Sequence, residues 1–332
     1  MSFITNIRSV AKYESKILVR SWFFRIFTLL AVVFLGFFNF AMMLMEDNFG
    51  LWFAKSVSSN IPYLNLLLLN TGQAVVAVFL SSEFLKRDKK LDTSEVFYVR
   101  PLSNAEYVVG KIWGNLRVFL FLNLLVLAIV LAFNFMASGV TVDLPAYLIY
   151  FFLISIPTLI FIIGLSIFLM LLLKNQALTF ILLLGYIGLT LFYIQDKFYY
   201  LFDYMVYNLP LFKSTIVGFS NLELILNHRA IYFFAGLGFI FFTIFLFKRL
   251  PNARRSHYPW LFLSFCMFLL MGTAGFRHVR SILREGEMRA LYTSINNKYV
   301  YEPKMAIDYY DISVEQKSET IRSVVGMEGT AL

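Results

Sequence analysis

The chain of 332 residues is strongly apolar: 59% of its residues are hydrophobic, 18% are aromatic and only 15% are charged. A soluble domain carries about 25% charged residues and is less than half apolar. Together with a mean hydropathy of +0.72, this composition excludes an ordinary soluble globule, a disordered protein and a disulfide-stapled secreted domain. The single cysteine, Cys266, cannot form an internal disulfide.

Seven apolar runs approach or exceed the roughly 20 residues that a helix needs to cross a bilayer. Charged residues are rare inside them, because one at the centre of a span costs about 2.5–3.5 kcal/mol. The sequence therefore predicts an all-α polytopic membrane protein with about seven transmembrane helices, the last of them within residues 251–277. In chain order the runs are Ile26–Met45, Ile61–Leu80, Trp113–Met136, Tyr147–Leu173, Ala177–Tyr193, Ile231–Phe247 and Trp260–Phe276.

Basic residues mark one side of this protein. Lys and Arg are concentrated before the first span, between the second and third, at Lys174 and after the sixth, whereas the alternate loops hold few. Since basic loops stay in the cytoplasm, we expect a multi-pass protein of the cell inner (plasma) membrane with a cytoplasmic N-terminus and an extracytoplasmic C-terminal tail. The tail after Phe276 has as many acidic as basic residues, so the net charge of +9 belongs to the apolar part. This indicates membrane topology and no nucleic-acid partner.

Residues 1–22 have the pattern of an amphipathic interfacial helix. Their apolar residues lie largely on one helical face and their basic residues mostly on the other. Such a helix lies in the plane of a membrane surface, so we expect this segment to contact the cytoplasmic side of the lipid bilayer. The alternative is an ordinary cytoplasmic lead-in to the first span.

Residues 196–228 are unusually aromatic for a loop on the extracytoplasmic side. The run is too apolar for water, yet Asp203 and Pro210 interrupt any span. Short re-entrant helices would satisfy their backbone only if they packed against protein. An interfacial aromatic belt is the alternative, and the sequence does not choose between them.

The loop 83–112, between the second and third spans, carries local signals for a short helix. Thr93 can cap this helix, and Pro101 ends it, because the residue before a proline is disfavoured in the α region. We expect the helix to present a mixed charged and apolar surface that includes Glu95 and Tyr98.

A second helix begins directly after that proline. Ser103 and Glu106 have the spacing of a capping box, which starts a helix by satisfying backbone N–H groups at both positions. This helix carries Lys111 to the membrane interface and continues into the third span. The loop should therefore be a compact helix–turn–helix, rigidly joined to two spans, that can transmit a push from a cytoplasmic partner.

In these features the sequence resembles the permease subunit of type-2 ATP-binding-cassette (ABC) exporters. That family has a Glu at the end of the second span, a Gly-Thr-x-Glu coupling segment, then Pro-Leu-Ser and Gly-Lys entering the third span. Asp92 stands where the family commonly has the glycine. The resemblance covers roughly residues 1–250, with an elbow helix, a six-helix domain over 23–250 and an outer re-entrant region over 196–228. The matching positions are Glu83, Thr93, Glu95, Pro101, Leu102, Ser103, Gly110 and Lys111.

The resemblance implies a permease that works with a separate ABC ATPase subunit, which holds ATP and Mg, and with a second permease copy or a paralogue. This chain itself has no P-loop, because Gly110-Lys111 lacks the upstream glycine and Ile112 replaces the required Ser or Thr. We therefore predict no enzyme here, but export of an unidentified substrate. The ATPase-coupling residues would be Glu83, Thr93, Glu95, Tyr98, Pro101, Ser103 and Lys111.

An alternative function comes from a different class of protein. The chain could be a membrane anchor or force-transmitting component whose extracytoplasmic domain is the working part. Polar residues of the second span bear on this choice, since they suit either a substrate path or hydrogen bonds between helices. They are Asn65, Asn70, Thr71 and Gln73.

Enzyme and metal motifs are weak throughout the sequence. The histidines His228, His257 and His278 are predicted on both sides of the membrane, so we expect no metal site from them. An intramembrane protease or a glycosyl-transferring enzyme is a minor alternative. No cofactor is predicted in this chain.

The tail, residues 278–332, is predicted as a small α+β appendage. It begins as an amphipathic continuation of the seventh helix, and Ile312-x-Val314 and Ile321-x-x-Val324 then flank a turn, which suggests a β-hairpin. Two strands alone are marginally stable. We therefore expect either a partner that completes the sheet or a longer protein that contains this tail as an incomplete domain.

Overall fold

The chain is a helical bundle followed by a two-stranded sheet. The computed structural model describes residues 3–44, 58–82, 102–136, 142–194, 196–209, 211, 213, 218–219, 221–247, 258–302, 305–317 and 320–331. Their helices are α1 (Phe3–Arg20), α2 (Trp22–Leu44), α3 (Asn60–Ser82), α4 (Asn104–Met136), α5 (Leu144–Leu173), α6 (Gln176–Phe192), α7 (Leu222–Leu246) and α8 (Tyr258–Tyr299). The strands are β1 (Met305–Lys317) and β2 (Thr320–Ala331).

The predicted spans all fall on helices. Among the described residues, six helices are long and apolar enough to cross a membrane: α2, α3, α4, α5, α7 and α8. The fifth predicted span is α6, whose 17 residues extend about 26 Å, against about 30 Å for the hydrocarbon core. The chain is therefore a multi-pass α-helical membrane protein, as the composition predicts.

Helices α5, α7 and α8 pack closely because glycines stand where they touch. A Cβ atom added to Gly164 of α5 would lie 2.7 Å from the carbonyl oxygen of Gly236 in α7. In turn, Gly238 accepts a hydrogen bond from Ser264 of α8 at 2.9 Å. Glycine admits such backbone approach because it lacks a side chain.

Helix α5 is interrupted by one π-helical turn, Phe151–Ser155. Pro157 lies two residues after this turn and has no N–H, so the carbonyl of Leu153 loses the partner that a regular α-helix would give it. This frees a backbone acceptor inside the bundle, and a side chain of α7 uses it, as described below.

The last helix continues far beyond the predicted span, and a hairpin follows it. Helix α8 has 42 residues, and β1 and β2 pair antiparallel with Ile312 opposite Val325. Both the helical continuation and the hairpin are as predicted. One face of the hairpin carries large apolar side chains that are exposed: Tyr310, Ile312, Val314, Ile321, Val325 and Met327.

Candidate functional site

Two of the predicted coupling residues, Ser103 and Lys111, lie in the described part of the chain; Glu83, Thr93, Glu95, Tyr98 and Pro101 lie outside it. The backbone N–H of Ser103 donates to Oε2 of Glu106 at 2.6 Å, and the N–H of Glu106 donates to Oγ of Ser103 at 3.2 Å. This is the predicted capping box. It confirms that α4 starts immediately after the loop.

Helix α1 docks on this first part of α4. Asn6 Nδ2 donates to Oε1 of Glu106 at 2.9 Å, so α1 is bonded to the capping box itself. One turn further on, a Cβ atom added to Gly110 would lie 2.7 Å from Cβ of Val10. At Gly114 the same addition would lie 2.7 Å from Cβ of Glu14. The contacts rise together along both helices, so α1 and α4 run in the same direction where they touch.

Charged and polar side chains are buried in this contact, which we call the α1–α4 contact. Nζ of Lys111 lies 3.7 Å from Oε2 of Glu14, and neither side chain is more than 5% exposed. Arg117 donates from Nε to Oγ of Ser15 at 2.5 Å and from Nη2 to the carbonyl of Ala11 at 2.8 Å. Lys111, expected at the membrane interface, is thus enclosed between two helices. The apolar face of α1 is partly covered by protein: Ala11 and Leu18 are buried, whereas Phe3 and Ile4 are exposed.

A second candidate site, the 196–213 segment, packs at the opposite end of the bundle. Four of its non-glycine residues have left-handed backbone conformations, each of which costs about 1–2 kcal/mol. Such strain persists only where the surroundings hold it in place. The residues and their φ angles are Phe198 (52°), Tyr199 (58°), Tyr200 (62°) and Val206 (64°).

Three successive carbonyl groups of this segment are held by side chains of α7 and α8. Because a carbonyl only accepts hydrogen bonds, each histidine involved presents Nε2 as the N–H donor. The left-handed turn is thereby fastened to two helices that are distant in sequence. The pairs are Tyr199 with His278 at 2.9 Å, Tyr200 with His228 at 3.0 Å, and Leu201 with the hydroxyl of Tyr232.

Arg229 of α7 ties the segment to α5. Its Nε donates to the freed carbonyl of Leu153 at 2.7 Å, its Nη1 to the carbonyl of Tyr204 at 2.8 Å and its Nη2 to Oγ1 of Thr158 at 2.9 Å. The whole residue is only 3% exposed. A buried cation with three fixed acceptors is expensive to place in a membrane protein, and such residues mark functional positions.

Asp203 provides the negative charge nearest to this arginine in the segment. Its carboxylate accepts the backbone N–H groups of Tyr207 at 2.9 Å and Asn208 at 2.8 Å. Burial raises the pKa of the Asp203 carboxyl, while these N–H groups and the guanidinium of Arg229 act in the opposite direction. The carboxylate thus closes a turn and partly balances the arginine.

Helices α3 and α5 hold the rest of the segment. The hydroxyl of Tyr63 donates to the carbonyl of Val206 at 3.3 Å, and the ammonium of Lys213 pairs with Asp143 at 2.6 Å. Residues 204–206 are buried. The described part of the segment contains one short left-handed turn, Phe198–Tyr200, and no regular α-helix. Phe198, Tyr199, Phe202 and Tyr207 are exposed, so packing against protein and an interfacial aromatic belt both stay open.

The polar residues of the second span lie inside the bundle in the single chain. Asn65 and Asn39 exchange hydrogen bonds at 2.7 and 3.1 Å, and Asn70 and Gln73 both bond to Asn123, at 3.0 and 2.9 Å. Thr71 is half-buried and donates to its own helix backbone. This geometry is that of hydrogen bonds between helices, and a substrate path along these residues stays a prediction.

Sequence reasoning missed the residues that fasten the 196–213 segment. The rings of His228 and His278 have their centroids 5.1 Å apart, although their positions in the sequence gave no sign of a pair. His257 lies outside the described residues. Among those described, no group of three or more His, Cys, Asp or Glu residues is placed to hold a metal ion.

Neither of two comparisons with known proteins finds a match: no family model and no curated protein matches the chain. The fold and its two buried contacts define a multi-pass helical membrane protein with a small α+β tail.

Proposed function

We propose that the chain is the permease subunit of an ABC exporter, which couples ATP hydrolysis by a separate ATPase subunit to substrate export. The observation that supports this best is the first turn of α4, where the capping box of Ser103 and Glu106 also binds Asn6 of α1. This turn follows directly on the loop that resembles the exporter coupling segment. A force on that loop would therefore reach two helices at once.

The length of α4 suits this mechanical role. Its 33 residues extend about 50 Å, roughly 20 Å more than a bilayer core. The added length carries the α1–α4 contact, so a displacement of the loop is passed to α1 and to the span α2. In this proposal the loop end is cytoplasmic, the 196–213 segment is extracytoplasmic, and the protein lies in the inner (plasma) membrane.

The partners follow from the same proposal. An ABC ATPase with bound ATP and Mg would dock on residues 93–100, and a second permease copy or a paralogue would complete the substrate path. Within one chain that path would follow α3, past Asn65, Asn70, Thr71 and Gln73. The substrate itself has no signature in the chain.

Reversing one loop charge tests the docking. We expect the wild-type protein, purified from its native membrane, to retain an ATPase that carries a Walker A motif, and Glu95→Arg to lose it. Glu287→Arg, an exposed change on α8, is the matched control and should retain the ATPase. Equal retention by wild type and Glu95→Arg would show that the coupling assignment is wrong.

A second candidate function is force transmission to the tail, and the continuity of α8 favours it. A single helix of 42 residues runs without a break from its apolar first half to Tyr299, and the hairpin begins shortly afterwards at Met305. If the tail is the working part, ATP should change the distance between a label on β1 and the membrane surface without solute flux. ATP-dependent solute flux into sealed vesicles, measured with the same preparation, would instead support the exporter.

A further inference from the structure

The face of α1 that points away from α4 carries a line of positive charge. Arg8, Lys12, Lys16 and Arg20 are all exposed and recur every four residues. Residues at this spacing are neighbours on a helix surface, so the line extends about 18 Å along the helix axis. The only acidic residue of α1, Glu14, is buried on the opposite side against Lys111.

This arrangement is unfavourable for an isolated helix. Like charges four residues apart repel each other, and the line contains three such neighbouring pairs. In the described part of the chain, none of the four side chains has an acidic partner. The line is therefore a surface that an external anion would stabilise.

The surroundings of the line point to a membrane rather than to a soluble partner. Arg20 lies two residues before Trp22, which is 73% exposed and opens the apolar helix α2. Tyr13 and Val19 are exposed beside the basic residues. Basic side chains next to exposed aromatic and aliphatic ones at the end of a span are typical of the headgroup level of a bilayer.

The packing of α1 takes up part of its apolar face and so weakens the usual apolar means of membrane attachment. An interfacial helix normally buries its apolar face among lipids, but here Ala11 and Leu18 are buried within the protein. What α1 offers to the membrane is therefore its line of charge together with a few exposed apolar side chains, among them Ile4 and Tyr13. Anionic lipids attract such basic segments over about a Debye length.

We propose that the exposed face of α1 is a binding surface for anionic phospholipid headgroups. The residues that bind them are Arg8, Lys12, Lys16 and Arg20. The lipids neutralise the line and thereby stabilise α1 in its docked position on α4. This surface requires only that α1 lies beside a membrane. It does not depend on the proposed export function.

The test compares the full-length protein in nanodiscs of phosphatidylcholine with the protein in nanodiscs that also contain phosphatidylglycerol. We expect the anionic lipid to raise the thermal midpoint of the wild type by about 5 °C. The variant with all four residues replaced by Gln should lose most of this shift, and each single replacement about a quarter of it. Salt at about 1 M, where the Debye length is about 3 Å, should reduce the wild-type shift.

The control is the triple variant Arg280→Gln, Arg284→Gln and Arg289→Gln on the exposed part of α8, which should keep the wild-type shift. Native mass spectrometry of retained phosphatidylglycerol provides a readout even if the α1 variant is less stable. Equal shifts or equal retention in wild type and α1 variant would overturn the proposal. So would the same stabilisation by soluble polyglutamate, which would indicate an acidic protein partner. All these measurements omit the ATPase, so their failure leaves the exporter proposal untouched.

Discussion

The two ends of the bundle both bury charge, but they do so in different ways. In the α1–α4 contact, Glu14 and Lys111 meet between two regular helices, and glycines bring the backbones together. In the 196–213 segment, Asp203 lies within irregular backbone, and Arg229 of the neighbouring helix α7 donates to the carbonyl of Tyr204. A helix satisfies its own N–H and C=O groups, whereas irregular backbone at depth needs outside partners.

Because of this difference, we call α1 a docked element, held mainly by side chains on one helix. We call the 196–213 segment an interlocked element, because its main chain is bonded to several helices. Helix α1 contributes mainly side chains to its contact, with the carbonyl of Ala11 as its main-chain acceptor, so we expect that it can detach while the bundle stays folded. The 196–213 segment receives hydrogen bonds from α3, α5, α7 and α8 through its main-chain carbonyls. Damage at the segment should therefore affect the whole bundle, and damage at the α1–α4 contact should remain local.

The largest expected effect is that of Arg229→Met. It removes a donor from three buried acceptors, of which the carbonyl of Tyr204 keeps only the longer bond from Thr158 at 3.3 Å, and it leaves Asp203 without its nearby charge. This should lower the free energy of unfolding by about 3–5 kcal/mol. Thermal unfolding in detergent measures it, with the exposed change Arg280→Met as a neutral control. A midpoint equal to that of the wild type would show that the segment is not interlocked.

Lys111→Met should be the next most costly change. It removes the cation that lies 3.7 Å from the buried carboxylate of Glu14, and we expect a loss of about 2–3 kcal/mol. The double variant Glu14→Leu/Lys111→Met should recover most of this loss, because an apolar pair of similar volume replaces a buried ion pair with little penalty. Additive losses in the double variant would contradict the pairing.

Gly114→Leu tests whether α1 detaches alone. The new side chain would collide with Glu14 and the backbone of Ala11, and we expect a cost of about 2 kcal/mol. Hydrogen exchange should rise over residues 3–20 and stay unchanged in α5 and α7. Gly185→Leu is the matched control, since nothing lies within 4 Å of the corresponding Cβ position. Faster exchange throughout the bundle would remove the distinction between the two ends.

Ser103→Ala should have the smallest effect. Loss of one N-cap oxygen costs about 1 kcal/mol, and the bond from the Ser103 N–H to Glu106 remains. Amide exchange in the first turn of α4 should increase several-fold, while Ser323→Ala on the hairpin leaves it unchanged. If the turn stays fully protected in Ser103→Ala, the capping box does not define the start of α4.

The sequence predicts the regular parts of this fold because their signals are local. Apolar run lengths locate the spans, Ser103-x-x-Glu106 marks the start of α4, and alternation around residues 317–320 indicates the hairpin. The sequence also shows which face of α1 is apolar. It cannot show that α4 covers this face, since lipid and protein accept the same side chains.

The 196–213 segment could not be predicted in the same way. Arg229 looks like a basic residue at the border of a span until Pro157, far away in the chain, is seen to free the carbonyl that it binds. The pairing of His228 with His278 likewise depends on how α7 packs against α8. Such contacts arise from tertiary structure, and no short motif encodes them.

The π-helical turn of α5 has a consequence for the length of this chain segment. A π turn holds one residue more than an α turn, so deleting a single residue there would restore the α-helical phase of α5, while Pro157 would still lack its N–H. The part of α5 before the deletion would then rotate by about 100° around the helix axis, relative to the part after it. Asp143 would turn away from the ammonium of Lys213, and the hydroxyl of Tyr150 would turn away from the backbone N–H of Lys213. The extra residue of the π turn thus sets the rotation of the first part of α5 relative to the rest of that helix. Its removal would misalign the end of the bundle that contacts Lys213 and leave the opposite end unchanged.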